Sequence, residues 1–463
     1  MTLSFSEIVL RLISFFIIIY LARVLGAADF GKISFAQTLI LYFMLITNLG
    51  LDTLGVREIA RGKDNIVNYT GNIITLKLFL AIFSFCLMLV FVNFIHKSFQ
   101  VKYLIIFYGF SLFPSALLLE WFFRGVERME FIGISRILGK LPYALLVVFL
   151  VKSSKQLLLI PYLSLSGSLI AIGFLIYIFT KQYGKFKLVF NLSRWKSLIR
   201  QALPIGASSI MIQIYYNFDI VMLGFMKGDK VVGCYNAAYR VILFAWMFFP
   251  LFIHAIFPLM SRYYKESQEK LKILISSSTR LLSIIGLPLG VGGTILAKPI
   301  MRLLYGEGFD NGIIAFQILI WSVVIICLRC TYEQSFLACD KEKRYMFGVM
   351  SGALTNIGLN LILIPFFGLK GAAVATVISE FVFSLYLFFY FRIVSKVKII
   401  SYCLKPFIAA ILMGFIVYYV RNLNLFLSMS MGIISYFIFI LLLKGITFKE
   451  ISELKKQIVK RTT

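Results

Sequence analysis

Apolar runs of about twenty residues, the length that crosses a bilayer as a helix, recur along the whole chain with short polar segments between them. Windows of that length mark fourteen spans: 4–22, 34–56, 73–95, 103–123, 135–151, 157–179, 202–226, 234–258, 276–297, 312–338, 346–366, 371–391, 402–420 and 425–443. The fifth is the weakest, because Arg136, Lys140 and Pro142 interrupt its first half. Only 14% of the residues are charged and 60% are hydrophobic, against about 25% and 45–50% in soluble domains. A single core cannot hide that much apolar surface, because a soluble fold of this size needs a polar exterior. A soluble enzyme, a disulfide scaffold and a disordered regulator are excluded. The expected fold is an all-α polytopic membrane protein.

The net charge of +27 would point to nucleic acid in a soluble chain. Here Lys and Arg gather in short segments between spans, and those of the even-numbered loops and tail outnumber those of the odd-numbered loops more than two to one. That asymmetry is an orientation signal and predicts both termini in the cytoplasm. No nucleic-acid partner is expected. The opening run through Ile17–Ala22 lacks a basic leading region and reads as a retained helix, not a cleaved signal. The tail 444–461 alternates apolar and basic residues, so it either lies on an anionic membrane surface or is solvated.

Gly31-Lys32-Ile33-Ser34-Phe35-Ala36 opens the second span, and Gly233-Cys234-Tyr235-Asn236-Ala237-Ala238 opens the eighth. This offset of six spans predicts two parallel repeats related by an axis along the membrane normal. The expected organisation is a six-helix lobe (1–180), a basic cytoplasmic linker (181–200), a second six-helix lobe (201–393) and two further helices with a basic tail (394–463).

An ionisable group at bilayer depth is a functional candidate by default. Arg240, Arg329, Arg11, Lys77 and Arg280 fall inside or at the ends of spans at different depths, as stations of a cationic cavity for an anionic substrate. Arginine suits phosphate because its planar fork matches two oxygens. Each cation could instead be neutralised within the protein. Arg329 has Glu333 one turn on, Arg124 has Glu120 one turn back, and Arg11 and Asp52 share a depth on adjacent helices. Lys77 could snorkel to the interface. Arg240 has no acid within a turn and shares a face with Asn236, so it is the leading candidate.

Polar stripes extend the picture. Ser209, Gln213, Tyr216 and Asn217 share a face of the seventh span; Gln37, Asn48 and Asp52 one of the second; Thr376, Glu380 and Ser384 one of the twelfth. They predict either a wet cavity or interhelical hydrogen bonding. Asp219 and Glu380 lack a cation in their own helix, and with Asp52 and Glu333 they are candidates for H⁺ or Na⁺ coupling or for charge pairing. Gly286, Pro288, Gly290, Gly292 and Gly293 make the ninth span either a bending element or a close-packing seam.

Tyr20-Leu21-Ala22-Arg23-Val24-Leu25-Gly26 with Asp29-Phe30-Gly31 resembles the opening motif of the polysaccharide biosynthesis family. So do Asn48-Leu49-Gly50-Leu51, Gly55-Val56-Arg57-Glu58-Ile59-Ala60-Arg61, Asp219-Ile220-Val221-Met222-Leu223-Gly224, and Val232-Gly233 with Tyr235–Tyr239. These are the O-antigen (Wzx-type) flippases of the multidrug/oligosaccharidyl-lipid/polysaccharide exporter superfamily. The resemblance implies a MATE-like fold, a place in the bacterial cytoplasmic (inner) membrane, and translocation there of undecaprenyl-diphosphate-linked oligosaccharide from the inner to the outer leaflet. It also implies membrane lipids, a polysaccharide polymerase and chain-length proteins as partners. A cation-coupled multidrug antiporter is the alternative, and prominent intramembrane cations favour the anionic substrate.

An enzyme is not expected. His96 and His254 are isolated, no phosphate-binding Gly-rich loop occurs, and the longest loop, of about twenty residues, is short for sugar chemistry. A pathway enzyme or assembly scaffold is the third, weaker reading. Cys327 and Cys330 form a C-x-x-C inside an apolar run without a second ligand pair, so neither metal nor cofactor is expected there.

Overall fold

The computed structural model describes residues 2–62, 65–185, 187–247, 249–391 and 399–445. The described residues contain no strand. In order the helices are α1 (Thr2–Asn48), α2 (Leu51–Ala60), α3 (Ile66–Phe94), α4 (Phe99–Gly109), α5 (Leu112–Leu117), α6 (Glu120–Gly125), α7 (Met129–Leu150), α8 (Ile160–Gln182) and α9 (Leu192–Lys227). They continue as α10 (Asp229–Trp246), α11 (Phe249–Glu266), α12 (Gln268–Ile295), α13 (Ala297–Tyr305), α14 (Gly312–Ala338), α15 (Glu342–Phe367), α16 (Leu369–Phe391), α17 (Ile399–Val420) and α18 (Leu425–Leu442). Asn65, Asn191, Ser267 and Asn424 start α3, α9, α12 and α18 by accepting a backbone N–H of the first turn.

Twelve helical segments among the described residues are long and apolar enough to cross a membrane. The difference from fourteen sequence windows has two sources. The loop expected at 23–33 shrinks to one residue, Gly26 (φ 73°, ψ 172°), so 7–48 is one kinked segment of 42 residues. At 1.5 Å per residue that is about 60 Å, enough for two crossings of a core about 30 Å thick. The eighth window, 234–258, is divided between α10 and α11, which break after Trp246. The polar linker also shortens: residues 192–200 are the first turns of α9. Pro142 does not interrupt the fifth span, since α7 runs through it. The basic tail from 446 onward lies outside the described residues.

The second window is itself broken. Leu49 (φ 46°) and Gly50 (φ 83°) lie in the left-handed region and end α1 before α2. Gly50 is required there twice over, because a Cβ would also meet the backbone of Ala202 and Gly206 on α9.

The offset of 202 residues recurs in the backbone. Gly228 (φ 88°, ψ 171°) repeats the conformation of Gly26 202 positions later, and α3 and α12 begin at Ile66 and Gln268, the same interval apart. Such φ/ψ values are essentially restricted to glycine. Gly31 and Gly233 meet each other. A Cβ on Gly31 would strike the Asp229 carbonyl, and one on Gly233 would strike the Ala27 carbonyl.

The chain divides into two compact units, Met1–Ala237 and Ala238–Thr463, with the boundary inside α10. The first is built around Leu51, Ile73, Trp121, Phe122 and Phe179. Within the second, Met260, Ile275, Phe336 and Leu387 form one core, and Leu287, Val324, Met413 and Tyr436 form another that fastens α17 and α18 to α12. In the seam between α12 and α14, Gly286, Gly290 and Gly293 lie against Cys327, Val324 and Ile320. These glycines let two backbones approach, as small residues do between membrane helices; α12 itself is continuous across them. Large apolar side chains such as Phe79, Phe149, Phe366, Phe389 and Tyr419 face outward, the surface that lipid, not water, would solvate.

Candidate functional site

The first unit neutralises its deepest cation. Lys77, on α3, is 1% exposed, and its Nζ lies 2.7 Å from Asp52 Oδ1. Asn48 holds the same carboxylate: its Nδ2 donates to Asp52 Oδ2 at 3.0 Å, while the Asp52 amide donates to Asn48 Oδ1 at 3.0 Å. The bend at 49–50 makes this possible, because it lets the last residue of α1 cap the first turn of α2. Lys77 therefore does not snorkel. The alternative of an Arg11–Asp52 pair is not taken among the described residues; Arg11 pairs with Glu7 one turn back, at 2.8 Å and half exposed.

Glu120 also takes another partner than expected. Arg124 is exposed, and Glu120 instead accepts both arms of Arg136 on α7, at 2.9 and 2.6 Å. Asp219, buried on α9, accepts the Tyr235 hydroxyl and the Ile220 amide. On the same helix the Gln213 carbonyl accepts from Tyr42 on α1 at 3.4 Å and from Asn217 at 3.5 Å. The stripe hydroxyls of Ser209, Thr376 and Ser384 bond carbonyls of their own helices. Lys97 pairs with Asp229 at 2.7 Å beside the Gly31–Gly233 contact.

In the second unit Arg329 and Glu380, each 4% exposed, pair across α14 and α16 at 2.9 Å. Glu333 lies 3.5 Å from Arg329 and accepts the Tyr345 hydroxyl at 3.2 Å. The guanidinium stacks 3.9 Å from the Phe383 ring centroid. Glu380 thus has a cation after all, on the neighbouring helix. Arg280 donates through Nε to the Gly445 carbonyl at 2.9 Å, and Lys405 donates to the Lys444 carbonyl at 3.2 Å. Both carbonyls lie in the turn just past α18, beside a helix C-terminus that favours positive charge.

Arg240 differs from these in that no carboxylate pairs with it among the described residues. Its Nε is buried without a hydrogen-bond partner. Its electrostatic neighbours in the second unit are the phenols Tyr239 and Tyr305, and the Tyr305 hydroxyl is buried without a partner. Asn236, one turn earlier on α10, is 2% exposed, and its Oδ1 also lacks a partner. Among the described residues no group of His, Cys, Asp or Glu could hold a metal ion. Cys327 and Cys330 are buried free thiols one helical turn apart.

The family model described as polysaccharide biosynthesis protein matches residues 1–264. The chain belongs to that family. The MatE model matches residues 204–362. Among similar family proteins is one named for O-antigen transport from Escherichia coli (strain K12), 26% identical over 373 residues, 78% of this chain and 88% of that protein. Another is named as a flippase of low-salt glycan biosynthesis from Haloferax volcanii, 27% identical over 173 residues, 37% of each chain. The solved structure of the lipid II flippase MurJ in an inward-closed conformation has a TM-score of 0.77 at 16% identity, covering 94% of this chain and 97% of that one. An inward-facing multidrug-resistance MATE transporter has a TM-score of 0.67 at 15% identity, covering 85% and 95%. At such identities the likeness shows the fold alone, an all-helical one shared with both structures.

Sequence reasoning missed the Lys77–Asp52, Arg136–Glu120 and Lys97–Asp229 pairs. Their partners are 16 or more positions apart, beyond any single-helix pattern.

Proposed function

We propose that this protein is a flippase that moves an undecaprenyl-diphosphate-linked oligosaccharide from the inner to the outer leaflet by alternating access. The observation that carries the reading to a residue is Arg240, a partly buried guanidinium without a carboxylate among the described residues. A guanidinium held partly out of water with no built-in acid needs a counter-charge. The counter-charge is the diphosphate of the passing lipid, gripped by the planar fork. The relatives named for O-antigen and glycan transport support the substrate class, and the family's fold supports a transporter rather than a catalyst. The remaining members of the cationic route, Arg11, Lys77, Arg280 and Arg329, orient and brace helices in this reading, because each already has an internal partner.

Both termini lie in the cytoplasm. Coupling to H⁺ or Na⁺ runs through the acids around Arg329, where Glu333 and Glu380 face one guanidinium. The polymerase and chain-length proteins of the same pathway receive the flipped unit. The test is a deletion strain: lipid-linked repeat units should accumulate on the cytoplasmic leaflet and surface glycan should vanish. Drug sensitivity with normal glycan would overturn the proposal in favour of a multidrug antiporter.

A further inference from the structure

Arg344 sits between two apolar spans and reads in the sequence as one more loop cation. The fold gives it a different setting. It lies in the first turn of α15, where unpaired amides make the field positive and favour an acid over a base. Its NH1 is buried without a hydrogen-bond partner, and no carboxylate pairs with it among the described residues. Its guanidinium lies over Tyr390 of α16, 5.1 Å from the ring centroid, and Tyr390 packs on Tyr386 at 4.7 Å. Its neighbour Tyr345 is already engaged with Glu333, so that acid faces Arg329 instead.

Stacking occupies the face of a guanidinium and leaves its N–H edges free in the plane. A cation at a helix start, with NH1 unpartnered, phenols beside it and no carboxylate paired with it among the described residues although Glu342 shares its turn, lacks an anion. We propose that Arg344, Tyr386 and Tyr390 form a phosphate-binding site at the inner membrane face. There it takes the diphosphate of the lipid-linked substrate before translocation. The assignment to that face and that substrate rests on the flippase reading and its orientation, which place the 339–345 segment in the cytoplasm. The same chemistry would hold the phosphodiester of an anionic lipid headgroup.

The experiment measures binding of undecaprenyl diphosphate and of phosphatidylglycerol to the full-length protein in neutral detergent, with melting temperature recorded for every variant. Arg344→Gln should weaken undecaprenyl diphosphate about tenfold, the scale of a charge-assisted hydrogen bond. Arg344→Lys should recover part of the loss, and Tyr390→Leu should weaken binding by a smaller factor. Loss confined to the diphosphate supports a substrate-loading site. Equal loss for both lipids overturns that assignment and leaves a headgroup site. Unchanged affinity for both in Arg344→Gln makes the arginine a stacking staple and overturns the site itself. If Arg344→Gln does not fold, Tyr390→Leu decides the same question. A wild-type protein that binds no undecaprenyl diphosphate would defeat the flippase reading instead.

Discussion

In the first unit Lys77 is buried with a carboxylate 2.7 Å away, whereas in the second Arg240 and Arg344 have buried guanidinium nitrogens and no carboxylate among the described residues. Arg329, in the same unit as the latter two, behaves like Lys77: an acid on a neighbouring helix meets it at 2.9 Å. The contrast therefore does not follow the division into units. It separates charges whose partner is built into the fold from charges whose partner, in the proposed function, arrives with the substrate. The first class should matter for stability and the second for transport, so substitutions that remove one charge at a time can break the distinction.

The largest stability effect belongs to Arg329→Met. It strands Glu380, which is 4% exposed, and removing one member of a buried pair costs about 3–5 kcal/mol. Folded protein should fall sharply in membranes, and the double variant with Glu380→Leu should recover much of it. Lys77→Met should cost less, about 2 kcal/mol, because Asp52 is 37% exposed and water relieves the orphaned acid. Thermal unfolding in detergent reads both, and Asp52→Asn in the Lys77→Met background should restore the loss. Arg11→Gln closes the series. Its pair with Glu7 is half exposed on both sides, so the change should stay within about 0.5 kcal/mol. Equal losses for all three would mean that burial does not govern these pairs.

Hydropathy marks which stretches are apolar and where along a stretch each charge stands, since both depend on position along the chain. It is silent about azimuth. By span position Arg11 is the candidate partner of Asp52, whereas the bend at Leu49–Gly50 and the packing of α3 bring Lys77 to it. Glu333, one turn from Arg329, was visible as a partner; Glu380, 51 positions away by residue number, was not, though it makes the shorter contact. The partner of Arg280 is a backbone carbonyl at the end of α18, which leaves no mark in side-chain patterns. Gly26 was legible as part of a motif, while its role as the only break in a 42-residue segment needed the backbone. That no acid stands within a turn of Arg240 is a local feature readable in the sequence, and the fold pairs no carboxylate with it among the described residues.

The central claim is that Arg240 meets the transported diphosphate. It is tested by reconstituting the protein in liposomes and following the transfer of a fluorescent undecaprenyl-diphosphate-linked sugar between leaflets. Arg240→Ala should insert and melt like the wild type yet lose nearly all transfer. Arg240→Lys should regain a fraction, since a point charge keeps the attraction and loses the fork, and Arg240→Glu should transfer nothing. Full transfer by Arg240→Ala at matched protein level would contradict the account.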